Sequence, residues 1–85
     1  MRMSDTKPTR ENRVQWFLEG MIEHHGGALQ MAHEARKNST NPTILRLARG
    51  IIIVQRKEII VLRKMLKSKG MNKPAYYKFD ELFAL

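Results

Sequence analysis

Two long stretches of apolar residues at helical spacing, parted by one short break, set most of what this chain can become. The first runs through Val14, Phe17, Leu18, Met21, His25, Ala28, Ala32 and Ala35. The second runs through Ile44, Leu47, Ala48, Ile51, Gln55, Glu58, Leu62 and Leu66. Steps of three and four residues keep such positions on one face of an α-helix. The break is Asn38-Ser39-Thr40-Asn41-Pro42. Asn41 suits a helix N-cap, and Pro42 suits the first helical position, where a backbone N–H would have no partner. A loop this short makes the two helices antiparallel neighbours. The pattern predicts one helix from Thr9 or Arg10 to about Lys37 and a second from Pro42 to about Lys69, with Gly70 ending it.

Outside this hairpin the chain changes character at both ends. Residues 1–9 are mostly polar and read as a flexible arm. Residues 71–85 hold Tyr76, Tyr77, Phe79 and Phe83, together with Leu82 and Leu85. A short helix from about Ala75 to Ala84, opened by Pro74, is expected to dock on the back of the second helix or on a neighbouring molecule. The division is therefore an arm over 1–9, a hairpin over 10–70 and an aromatic segment over 71–85. Eighty-five residues form one small domain with a modest core, and such chains often rely on a metal or a second copy. The second helix is also apolar beyond its inward face, at Ile52, Ile53, Val54, Ile59, Ile60 and Val61. One partner helix cannot cover that much, so the rest of the chain or a second subunit has to help.

Composition narrows the chemistry. There is no cysteine, which excludes disulfides and thiolate metal sites. The formal net charge of +8 favours an acidic partner such as nucleic acid, an anionic membrane or an acidic protein face, although a plain solvated basic surface is commoner. The longest apolar run, Ile51-Ile52-Ile53-Val54, is too short to span a bilayer. Residues 1–13 lack the pattern of a secretory signal, which favours a cytoplasmic location over secretion.

The densest group of metal-ligating side chains is Met21, His24, His25 and Met31. On a helix they fall within roughly a third of the circumference, and Met21 lies one turn before either imidazole. Met31 lies about 10 Å along the axis from His24, so one ion does not take both sulfurs from one helix. Two ions, or ligands from another chain, are needed. Imidazole with thioether suits copper, Cu(I) in particular, whereas zinc prefers cysteine, histidine or carboxylate. A plainer reading makes the histidines hydrogen-bonding partners of Gln55 and Glu58 across the seam, with the methionines as filler. Glu58 falls inside the apolar stripe, and a buried carboxylate requires a partner, for which the His pair is the candidate. Gly26, Gly27, Ala28 and Ala32 are small enough for the second helix to approach closely. Two glycines inside a helix cost about 1 kcal/mol each against alanine, which points to close packing or a kink. His33 lies off this face and is expected in solvent.

The run Phe17-Leu18-Glu19-Gly20-Met21-Ile22-Glu23-His24-His25-Gly26-Gly27-Ala28-Leu29-Gln30-Met31-Ala32 resembles the signature of the DUF305 family, F-L-x-x-M-I-x-H-H-x-x-A-x-x-M-A. Asn41-Pro42, Leu47-Ala48, Ile51-Ile52, Gln55 and Glu58-Ile59 continue the resemblance, which covers about residues 14–68. It implies an all-α, ferritin-like antiparallel hairpin that completes a four-helix bundle by homodimerisation. It also implies copper binding, as in some similar proteins, with Met21, His24, His25 and Met31 as ligands and Gln55 and Glu58 as polar partners. The chain departs from the family pattern at Leu62, where a methionine is common, at Met65, where a tryptophan is common, and at Val14, where an acidic residue is frequent. Most similar proteins look exported, and this chain shows no such signal.

Two functional expectations follow. One is a non-enzymatic protein that binds a copper ion through the Met and His cluster. The other is a structural module of a larger assembly, virion-associated or in contact with nucleic acid, that keeps the scaffold without a working metal site. An oxidase is disfavoured. Ferritin-like di-metal sites use Glu-x-x-His pairs, and the residues three before His24 and His25 are Met21 and Ile22.

Overall fold

A computed structural model describes residues 7–85, so most of the arm expected over 1–9 lies outside the described residues. Two long helices, α1 (Arg13–Asn38) and α2 (Pro42–Ser68), form a hairpin. A C-terminal segment folds back on it through two 3-10 turns, Pro74–Tyr77 and Asp80–Leu82. The described residues contain no strand.

The helix ends follow from local chemistry. Thr9 N–H donates to Asn12 Oδ1 at 2.6 Å, and Asn12 N–H donates to Thr9 Oγ1 at 3.2 Å. This reciprocal pair holds a turn ahead of the helix, so α1 begins at Arg13 rather than at Thr9 or Arg10. At α2, Asn41 Oδ1 accepts from Thr43 N–H at 2.9 Å and Ile44 N–H at 3.4 Å, with Pro42 in the first position. The other end closes on Gly70 at φ +73, a left-handed conformation that glycine adopts without a Cβ penalty. Met71 N–H then reaches Leu66 C=O at 2.9 Å, and Gly70 N–H reaches Lys67 C=O at 3.0 Å. These are the two bonds of a Schellman stop, and they turn the chain back toward α1.

The C-terminal segment is helical, as expected over Ala75–Ala84, but in two short 3-10 pieces rather than one continuous helix. Side chains of the hairpin hold its last backbone carbonyls. Arg56 donates to Phe83 C=O at 2.7 Å and Arg36 to Leu85 C=O at 2.6 Å. A ten-residue helix is marginal alone, and these bonds tie the end of the segment to the hairpin. The segment does not simply cover the back of α2, because its ion pairs and hydrogen bonds run to both helices.

Its position resets the core. The buried apolar residues are Leu18, Ile22, Leu29 and Ala32 of α1, Ala48, Ile52, Ile59 and Leu66 of α2, and Tyr76 and Phe79 of the C-terminal segment. On both helices this face is rotated by roughly 60° from the stripe that the sequence predicts as interior. The core forms where three elements meet, and the third lies to one side of the hairpin. Much of the predicted stripe consequently faces outward on the opposite flank, where Val14, Phe17, Met31, Ile44, Leu47, Val54, Val61 and Met65 are exposed.

Candidate functional site

The open flank carries a regular pattern on each helix. On α1 it reads Val14, Phe17, Met21, His24, Ala28, Met31 and Ala35, and on α2 it reads Ile44, Leu47, Ile51, Val54, Glu58, Val61 and Met65. Both alternate steps of three and four, which is the heptad spacing of a seam between helices. Near mid-length each row has one polar interruption, His24 on α1 and Glu58 on α2. Shallow apolar depressions lie toward the two ends. One includes Val14, Phe17 and Met65, and the other includes Ala28, Met31, Ile44, Leu47 and Ile51.

At the polar level, His25 Nε2 lies 2.5 Å from Glu58 Oε2 and links the helices. The carboxylate therefore meets an imidazole, as the sequence requires, but Glu58 is not buried, since its side chain keeps 55% of its exposure. A residue that reaches water at a helix–helix edge escapes most of the desolvation cost of a core carboxylate. His25 alone makes this contact. His24 projects into solvent, Met21 and Gln55 are half-buried, and Met31 is 73% exposed.

The candidate ligands are thus divided. His25 is held by Glu58, as a carboxylate beside a metal-bound imidazole would orient it. Met21 and His24 share the open row one turn apart, and Met31 stands two turns beyond His24. No three histidine, aspartate or glutamate side chains among the described residues gather closely enough to hold an ion. One chain offers Met21 and His24 as a soft pair. That pair fits Cu(I) in donor type, but two donors fall short of a closed coordination shell.

The covered flank is built differently. Gly26 is there for the C-terminal segment, not for α2, because a Cβ at this position would strike the Phe79 ring. At Gly27 such an atom would meet nothing within 4 Å among the described residues beyond its own helix backbone. Tyr76 donates its hydroxyl to Glu19, which also accepts from Lys73 at 3.3 Å and from Gln15 at 3.4 Å. Burial alone would raise the Glu19 carboxyl, but the hydrogen bonds from Tyr76, Gln15 and Lys73 outweigh it and hold the group below its ordinary value. Burial, reinforced by the Glu19 carboxylate, pushes the Tyr76 hydroxyl up. Lys78 pairs with Glu23 at 2.8 Å and Arg63 with Asp80 at 2.5 Å, while the Arg63 guanidinium lies over the Tyr77 ring at 4.4 Å. His33, expected in solvent, is half-buried, with Nε2 2.6 Å from Leu82 C=O. The sequence signal for this flank was the aromatic cluster of the C-terminal segment, which has to pack somewhere.

No helix of the described residues is long and apolar enough to cross a membrane. The chain matches the family described as "Domain of unknown function (DUF305)" over residues 14–80. No curated protein and no solved structure matches the chain.

Proposed function

The chain belongs to the DUF305 family, a domain of unknown function, and on that footing we propose a non-enzymatic, homodimeric copper-binding protein whose site is shared between two copies. The observation that carries this reading is the open flank. Most side chains of two apolar heptad rows are exposed there, and the interruptions near their middle are His24 and Glu58. A second hairpin laid on that flank would complete a four-helix, ferritin-like bundle. Isologous pairing repeats each residue across the two-fold axis, so Met21 and His24 of both copies would approach the same level. Two thioethers and two imidazoles make a donor set suited to Cu(I). His25, oriented by Glu58, stands beside them, and Gln55 supplies a further polar group at the seam. Met31 lies toward one end of the row, where it serves as an apolar contact or as a donor to a second ion.

The test is anaerobic Cu(I) titration against a competing chelator, with mass in solution followed in parallel. The native protein is expected to take up copper as a dimer. A Met21→Leu, His24→Ala double variant is expected to dimerise still and to lose tight uptake. Equal uptake by both proteins would remove the metal assignment and leave the dimer. The second reading, a scaffold module without a metal site, is favoured by the breadth of the apolar flank, which is more than two thioethers and two imidazoles need.

A further inference from the structure

The opposite, outward side of α2 carries a different feature. α2 holds seven basic residues and one acidic residue. Two of the basic ones, Arg56 and Arg63, are occupied by the C-terminal segment. The other five, Arg46, Arg49, Lys57, Lys64 and Lys67, are exposed and make no ion pair or hydrogen bond among the described residues. At 100° per residue they fall in a sector of about 80°, directed away from α1 and from the open apolar flank. From Arg46 to Lys67 the row extends about 31 Å along one rigid helix. Glu58, the only acidic residue of α2, lies on the other side and is paired with His25. The acidic residues Glu19, Glu23 and Asp80 are likewise taken up in ion pairs on the covered flank. The +8 charge is therefore not evenly spread, and α2 presents a straight cationic strip.

We propose that this strip is a docking surface for the phosphate backbone of duplex nucleic acid. Duplex DNA rises about 3.4 Å per base pair, so 31 Å corresponds to about nine base pairs, a continuous row of phosphates to face a continuous row of cations. Arginines at one end can grip phosphate oxygens bidentately, and the lysines act as point charges. A folded anionic protein would need acidic groups placed to match such a straight row. An anionic membrane would call for a broad apolar face among the cations, and within this sector only Ile60 is an exposed large hydrophobic, at 37%. Contacts of this kind position without reading sequence. The strip points away from the proposed dimer seam, so it remains available whether or not that seam is filled.

The test is the salt dependence of binding of the full chain to a mixed-sequence 20-base-pair DNA duplex. Five phosphate contacts predict a slope of log K against log salt of about −4.5, or about 500-fold loss between 50 and 200 mM. A Lys57→Gln, Lys64→Gln variant is expected to reduce the slope to about −2.7 and the loss to about 40-fold. Arg13→Gln, Lys37→Gln removes the same charge from α1, and it is expected to leave the slope unchanged. Equal effects of the two double variants would overturn the strip in favour of diffuse charge. Binding to phosphatidylserine vesicles with none to the duplex would overturn the choice of nucleic acid. Both variants alter exposed side chains, and unchanged circular dichroism is expected to confirm that they fold.

Discussion

The two flanks of this hairpin are made from similar residues and end in opposite states. On one, the C-terminal segment inserts Tyr76 and Phe79 between α1 and α2 and adds ion pairs to both helices. On the other, two heptad rows of comparable apolarity stand open, with Phe17 and Val14 each 51% exposed. The difference shows that helical periodicity specifies faces but does not specify what covers them. A small chain with more apolar surface than its own elements can hide uses its C-terminal segment for one flank and leaves the other open.

Mutation separates the flanks most sharply at their aromatic residues. Phe79→Ala empties a buried position and is expected to lower stability by about 3–5 kcal/mol. Phe17→Ala is expected to leave the unfolding midpoint of dilute protein nearly unchanged and to weaken self-association. Chemical denaturation at several protein concentrations checks both. The next effect lies in the paired glycines. Gly26→Ala places a methyl group against the Phe79 ring and is expected to cost about 1–3 kcal/mol, less whatever helix propensity returns. Gly27→Ala meets open space and is expected to stabilise by up to about 1 kcal/mol. If the two alanine variants were equally stable, the C-terminal segment would not sit over Gly26.

A smaller effect follows from Glu19. Its folded value lies below the ordinary 4.5 because of Tyr76, Gln15 and Lys73. A depressed carboxylate contributes stability that is present above the unfolded value and is lost as pH falls through the folded one. The native protein is therefore expected to lose stability below about pH 4.5 more steeply than Glu19→Gln, with tyrosine fluorescence reporting release of the C-terminal segment. Identical acid profiles would show that the contact does not hold that flank.

The hairpin was readable from the sequence because its signals are local. Asn41, Pro42 and Gly70 act within one turn of where they stand, and each does in the structure what its chemistry dictates. The orientation of the hairpin was not readable. The three-and-four stripe through Val14, Phe17 and Met21 looks like a core, and only the position of Phe79 over Gly26 turns the buried face toward Ile22 and Leu29. The His25–Glu58 contact was legible as a need, since a carboxylate in an apolar stripe requires a partner. Which imidazole meets it was not, because adjacent residues differ by 100° and a rotation of roughly 60° decides between them. His33 was misplaced for the same reason, as its partner carbonyl belongs to Leu82, forty-nine residues away.

Mass in solution as a function of concentration tests the central claim, that the open flank is an interface filled by a second copy. The native chain is expected to reach twice its 10.0 kDa at micromolar concentrations. A Leu47→Glu, Val61→Glu variant, charged at two exposed positions of the α2 row, is expected to remain at 10.0 kDa with its helix content intact. A native chain that stays at 10.0 kDa throughout, or a variant that dimerises as well as the native protein, would contradict it.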